Sequence, residues 1–131
     1  MSAPTDHLLI TLASVPPGSR VLDLGTGASE SLASLGFEVR SHGPAEAADL
    51  PDAHADWVAV ALPEGARADV LPEARRVLRP GGWLWLAVEG ADPEDLLVLA
   101  LDADLALAER PSREGAWSRG IFRRVEEGVR V

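Results

Sequence analysis

The residues whose types and spacing could do chemistry lie between Asp23 and Gly27. Asp23 sets a carboxyl group near the end of the apolar run Val21-Leu22-Asp23-Leu24, and Gly25-Thr26-Gly27 follows at once. Two glycines one residue apart clear Cβ atoms from a turn, so a ligand can rest on main-chain N–H groups and the turn can take up positive φ. A strand, a glycine turn and a helix in that order lay a ligand at the edge of an open α/β sheet. Other reactive groups are sparse. The chain has no cysteine, which excludes disulfides, thiolate zinc sites and cysteine nucleophiles. Glu64 is the one ionisable candidate for a base after the apolar run Trp57–Leu62, and a loop carboxyl there is more simply solvated. His7 reads as a surface residue at a helix start, and His42 as an exposed turn residue.

These residues need elements to position them. Val21, Leu22 and Leu24 read as a strand buried on both faces of a parallel sheet. Ser29 is placed to cap a helix from Glu30 to Leu35 that Gly36 ends. Phe37–Arg40 reads as a second strand, and Asp56–Leu62, apolar along its length, as another strand covered on both faces. Asp69 is placed to cap a helix from Val70 to Leu78, which Pro80 and Gly81-Gly82 terminate. Trp83–Val88 follows as a strand, with Trp83 and Trp85 on one face and Leu84 and Leu86 on the other. Upstream, Thr5 or Asp6 can cap a helix from His7 to about Ser14. Downstream, Asp92-Pro93-Glu94-Asp95 starts a helix expected to reach about Glu109. Trp117–Val125 reads as the last strand, half of a hairpin turning at Glu126-Glu127-Gly128. The expected fold is α/β, a Rossmann-like, open, mostly parallel sheet of about five or six strands with helices on both faces. One domain is expected over 1–131: an N-terminal helix over 1–16, a core over 17–89, and a Leu-rich helix with a C-terminal strand or hairpin over 90–131.

Val21-Leu22-Asp23-Leu24-Gly25-Thr26-Gly27 resembles motif I of the class I S-adenosylmethionine-dependent methyltransferases. Leu71 to Leu86, with Arg79-Pro80-Gly81-Gly82 inside it, is similar to the helix, turn and fifth strand of that family. The resemblance covers Pro17 to Glu89. It implies an enzyme that transfers a methyl group from S-adenosylmethionine to a small-molecule or protein acceptor, without a metal. It further implies that Asp23, Gly25, Thr26 and Gly27 hold the amino-acid part of the cofactor, and Glu46, Asp49 and Leu50 the adenosine part. The chain departs from the family pattern at three places. Ser29 stands at the third glycine of motif I. Ser41-His42-Gly43 supplies no acid for the ribose hydroxyls. A helix and a third strand are compressed into Gly43 to Pro51, a stretch that also reads as a polar loop with one helical turn. A dinucleotide-binding turn would want a glycine at Glu30. Methyl transfer from a sulfonium needs mainly position and desolvation, so an enzyme does not require a base after Leu62. The alternative is a non-catalytic binding or assembly module that keeps the fold and has lost the cofactor.

Composition bounds the partners. The 131 residues carry a net charge of −9 from 21 acidic and 12 basic residues, every basic one an Arg. Over residues 1–109 there are 18 acidic and 6 Arg residues, and over 110–131 there are 3 and 6. An acidic body repels phosphate backbones and counts against a dedicated nucleic-acid enzyme. The Arg-rich end is a footprint for an anionic partner or, the favoured reading, a solvated strand face that pairs with the acidic body. No apolar run is long enough to span a bilayer, and the start lacks the basic residues of a signal peptide, so a cytoplasmic location is expected. Asp95, Asp102 and Glu109 leave only a narrow polar stripe on the expected helix over 93–109. Such a helix is buried or packs against another chain, and a homodimer through it is the expectation.

Overall fold

Two runs in the chain, Val21–Leu24 and Trp57–Leu62, are too apolar to expose either face, and a parallel sheet covered by helices is the arrangement that hides both. The computed structural model, which describes residues 3–66 and 69–125, shows that sheet. Its strands are β1 (Arg20–Leu24), β2 (Glu38–His42), β3 (Ala55–Leu62), β4 (Leu78–Glu89), β5 (Ala106–Glu114) and β6 (Trp117–Arg123). They stand in the order β2-β1-β3-β4-β6-β5. The first four are parallel, and β6 runs antiparallel to β4 and β5. Helices α1 (Thr5–Leu12), α2 (Ser29–Ser34), α3 (Val70–Val77) and α4 (Pro93–Asp102) complete the α/β fold.

Strand alternation divides the core into two layers. On one face Leu22, Leu24, Val58, Val60, Leu84 and Leu86 meet apolar residues of α3 and α4. On the other, Val21, Trp57, Ala59, Trp85 and Ile121 meet Leu8 and Leu12 of α1 and Leu32 of α2. Trp83 and Trp85 share this second face as their spacing requires; Trp85 is core, and Trp83 stacks on Trp57 with ring centroids 5.7 Å apart.

Several expected boundaries move. The helix expected over 93–109 ends at Asp102, and Asp104 turns the chain with φ 64°. The Leu and Ala residues that follow serve β5, because a pairing partner, β6, lies alongside. Composition alone does not separate helix from strand there. The hairpin at the C-terminal end is therefore formed by β5 and β6, turning at Gly115, while Glu126-Glu127-Gly128 lies outside the described residues. α1 starts at Thr5 and α2 at Ser29, each without a side-chain cap. Arg79-Pro80-Gly81-Gly82 is drawn into β4, where Gly81 and Gly82 exchange backbone hydrogen bonds with Arg124. A 3-10 helix, Pro44–Asp49, joins β2 to β3, leaving β2 as a sheet edge. Two arginines of the Arg-rich end pair with the body, Arg113 with Asp92 and Arg119 with Glu109, and Arg119 also meets Glu114 within the end itself. Arg124 donates to the carbonyls of Arg75, Arg76 and Leu78 at the end of α3.

His7 fastens α1 to the sheet. Its Nδ1 accepts a hydrogen bond from Trp85 Nε1 at 3.0 Å, and its Nε2 lies 3.1 Å from Glu109 Oε2. Burial, and then the Arg119 guanidinium, hold the imidazole below its usual pKa, against the opposing pull of Glu109. The folded state thus favours neutral His7, whose Nδ1 lone pair the indole requires. Its contribution is complete above the unfolded pKa of about 6.5 and is lost as pH falls through the lower folded value. Thermal melts between pH 7.5 and pH 5 should show a fall in midpoint that His7→Gln reduces, since Gln keeps an acceptor and a donor without titrating there.

Candidate functional site at the carboxyl edge of the sheet

β1 sits where the strand order reverses: the chain leaves it for β2 on one side and returns to β3 on the other. A crevice forms at the carboxyl end of such a strand. The residues that follow β1 are Gly25-Thr26-Gly27, and Asp23 governs their shape. Asp23 is fully buried. Its Oδ1 accepts from Thr26 N at 2.8 Å and from Thr26 Oγ1 at 2.6 Å, and its Oδ2 accepts from Ser29 Oγ at 2.7 Å. Thr26 Oγ1 accepts in turn from Ala28 N at 3.1 Å. The carboxyl group and two hydroxyls thus tie strand, loop and helix start into one unit. These bonds use the N–H groups of Thr26 and Ala28 and leave that of Gly27 out.

The serine at the third glycine position of the motif therefore has a task. In place of close backbone approach it supplies a hydroxyl to Asp23. The two glycines also differ. Both have positive φ, 86° at Gly25 and 77° at Gly27. A Cβ on Gly27 would meet nothing within 4 Å, so its main chain faces open space. A Cβ on Gly25 would lie 3.2 Å from Ala61 O and 3.2 Å from Pro44 Cγ. The Pro44 ring covers that glycine.

Pro44 opens the 3-10 helix that also carries Glu46 and Asp49. Glu46 Oε1 accepts from Gly43 N at 2.9 Å, and Oε2 lies 3.7 Å from His42 Nδ1. The Gly43 N–H, more than His42, holds the Glu46 carboxyl below the usual range although the side chain is exposed. Asp49 is exposed at the end of the helix. Leu50 faces elsewhere: it lines a hollow of about 310 Å³ beside Leu22, Val39 and His54, toward the amino halves of β1 and β2. The expected group is thus only partly assembled. Asp23, Gly25, Thr26 and Gly27 share one loop, with Glu46 nearby through Pro44, whereas Leu50 borders a separate space.

Next to this loop lies a hollow of about 600 Å³, lined by Pro44, Ala47, Leu62, Pro63, Val70 and Glu73 among others. It is apolar and lies at the carboxyl end of β3. Pro44 and Val70 were not singled out by their residue types, and only the folding of the 3-10 helix against α3 brings them together. Glu64 packs over Gly90, and its backbone N–H donates to Glu89 Oε1 at 3.1 Å, which ties the ends of β3 and β4 together. Among the described residues no group of three or more His, Cys, Asp or Glu side chains could hold a metal ion, and no helix is long and apolar enough to cross a membrane.

Comparison with solved structures matches this arrangement. The chain superposes on a Burkholderia thailandensis 1,6-didemethyltoxoflavin-N1-methyltransferase, determined with 1,6-didemethyltoxoflavin and S-adenosylhomocysteine bound, with a TM-score of 0.72. The two are 15% identical, and the match covers 94% of this chain and 77% of the other. The fold is that of the class I methyltransferases. A ribosomal protein L11 methylase from Lactobacillus delbrueckii subsp. bulgaricus matches with a TM-score of 0.72, 18% identity, and coverage of 92% and 77%. A TehB-like SAM-dependent methyltransferase from Corynebacterium glutamicum matches with a TM-score of 0.67, 20% identity, and coverage of 89% and 85%. No protein-family model matches the sequence, and no curated protein matches it.

Two substitutions test the loop. Asp23→Ala leaves buried donors on Thr26 and Ser29 without an acceptor and should lower unfolding free energy by about 2–3 kcal/mol. Gly27→Ala meets only the strain of positive φ, about 1–2 kcal/mol, whereas Gly25→Ala adds the contacts with Pro44 and Ala61. Urea titrations should therefore rank Gly25→Ala as the more damaging of the two.

Proposed function

We propose that the carboxyl edge around β1 binds S-adenosylmethionine and that the chain is a methyltransferase for a small-molecule or protein acceptor. The observation that carries this reading is the open main chain of Gly27 at the strand-order reversal, held in shape by Asp23. The residues fit the cofactor in part. Gly27, with Gly25 and Thr26, would take its amino-acid end; Asp23 acts through the loop and does not touch the ligand. Glu46 and Asp49 would face the adenosine from the 3-10 helix, and Leu50 would back that helix from the neighbouring hollow. The bound cofactor supplies an activated methyl group on a sulfonium. The chain's own part is to bind, to orient, and to exclude water with the apolar wall of Ala47, Leu62 and Val70.

A second reading rests on a specific observation. The Pro44 ring lies over Gly25, where the family pattern leads one to expect bare backbone, and β2 ends without a ribose acid. On this reading the fold serves as a binding module without cofactor. The exposed Val98 and Leu101 on α4 support a homodimer contact in either case, a point that light scattering across a concentration series reads directly.

Isothermal titration with S-adenosylmethionine and S-adenosylhomocysteine separates the readings. The methyltransferase reading expects binding that falls at least tenfold in Gly27→Val and rises in Pro44→Ala, where the cover over Gly25 is reduced. Absence of heat at millimolar ligand, in both wild type and Pro44→Ala, selects the module.

A further inference from the structure

We infer that the groove beside the end of α1, over the amino-terminal part of β3 and the paired stretch of β4, binds a planar aromatic carboxylate. The site is separate from the glycine loop and does not rest on the methyltransferase reading. α1 ends at Leu12, and the chain then runs through Val15 and Pro16 to β1, so the helix covers only part of its face of the sheet. What it leaves open is a groove of about 580 Å³, floored by Trp57, Trp83 and Ile121 and bounded by Ser14, Pro16 and Arg79. Small-molecule sites occupy roughly 300–1,000 Å³, and the groove falls within that range. Strand register fixes its place. Trp57 stands three residues before Val60, the neighbour of Leu24 at the end of β1, so the groove lies about 10 Å from the carboxyl edge.

Register also assembles the recognition chemistry. Trp57, Trp83 and Arg123 are direct neighbours on β3, β4 and β6. The two indoles stack with their planes 13° apart, and the Arg123 guanidinium lies 4.6 Å from the Trp83 ring centroid. β3 and β6 flank β4 on opposite sides, so both faces of Trp83 are covered and its edge is what remains for the groove. An indole edge is the positive part of the ring quadrupole, which suits the face of a further aromatic ring or an oxygen acceptor. The indole N–H groups of Trp57 and Trp83 have no hydrogen-bond partner among the described residues and, unlike that of Trp117, are not sealed from solvent. Charge gives the sign. Asp56 at the groove is held by Arg79 and by the backbone N–H of Arg20, and Glu109 by His7 and Arg119. Arg123 has no carboxylate partner among the described residues, while Arg113, Arg119 and Arg124 of the same end are engaged. A guanidinium laid on an aromatic ring is fixed in orientation and keeps its N–H donors for a carboxylate.

The test follows the indole N–H resonances of the full-length ¹⁵N-labelled protein, assigned with Trp57→Phe, Trp83→Phe and Trp117→Phe. 2-Naphthoate and 2-naphthylmethylamine share a ring system and differ in charge. Naphthoate should shift the Trp57 and Trp83 resonances and leave that of Trp117, at the far end of β6, in place. The amine should bind more weakly. Arg123→Gln should weaken naphthoate about tenfold and Arg123→Lys by less, with the melting temperature of each confirming the fold. No shift at either indole, an equal response to the two probes, a Trp117 shift as large as the other two, or unchanged affinity in Arg123→Gln overturns the inference. S-adenosylhomocysteine added to the same sample should leave the affinity for naphthoate unchanged. Competition between the two overturns the separate site, whereas loss of the naphthoate response alone leaves the methyltransferase reading intact.

Discussion

The carboxyl edge depends on one buried side chain. Asp23 sits among apolar residues of β1 with no exposure, and three hydrogen bonds from Thr26 and Ser29 make that burial tolerable. The same bonds hold a loop that has no side chains at Gly25 and Gly27 to hold itself. An apolar residue at position 23 would suit the core and release the loop. The carboxyl group is therefore both a burial cost and the device that shapes the binding edge, and Ser29 offsets part of that cost from the next helix.

Around this point the fold is a shortened version of a larger plan. A 3-10 helix replaces the segment expected between β2 and β3, so β2 becomes an edge strand with Glu38, Arg40 and Ser41 exposed. Polar edge residues of this kind discourage pairing with another chain. The shortening also brings Pro44 directly onto Gly25. One economy in chain length thus narrows the cofactor crevice and leaves an apolar hollow between the 3-10 helix and α3. The other end of the edge is organised differently. There α1 is pinned by His7 between Trp85 and Glu109, and residues at its start line a shallow hollow with Glu114, Gly115 and Trp117 of the β5–β6 turn.

Helix α4 shows how an apolar stretch is shared between uses. Leu96 and Ala100 are buried, while Val98 and Leu101 face outward. The expected seventeen-residue amphipath is instead ten helical residues, a left-handed turn at Asp104 and an edge strand. The charges on β5, Glu109, Arg110, Arg113 and Glu114, then fall on a sheet edge, where they act against aggregation and bind the hairpin to the body.

The amino-acid sequence alone determined the central strands, the glycine turn and the fold class. Val21–Leu24 and Trp57–Leu62 admit burial on both faces only, and two glycines after a carboxyl-bearing strand have few other structural uses. Local patterns of this kind act over a few residues and need no partner to be read. Tertiary structure decided what depends on distant partners. Residues 106–114 became a strand because β6 pairs with them, Ser29 became a ligand of Asp23 because the loop folds back, and Pro44 closed over Gly25 because the connection to β3 is short. Leu50 was directed to a different hollow for the same reason, since a 3-10 helix turns its last side chains away from its first. The indole N–H of Trp117, buried with no hydrogen-bond partner among the described residues, belongs to this class as well, since its surroundings follow from the packing and no residue type announces them.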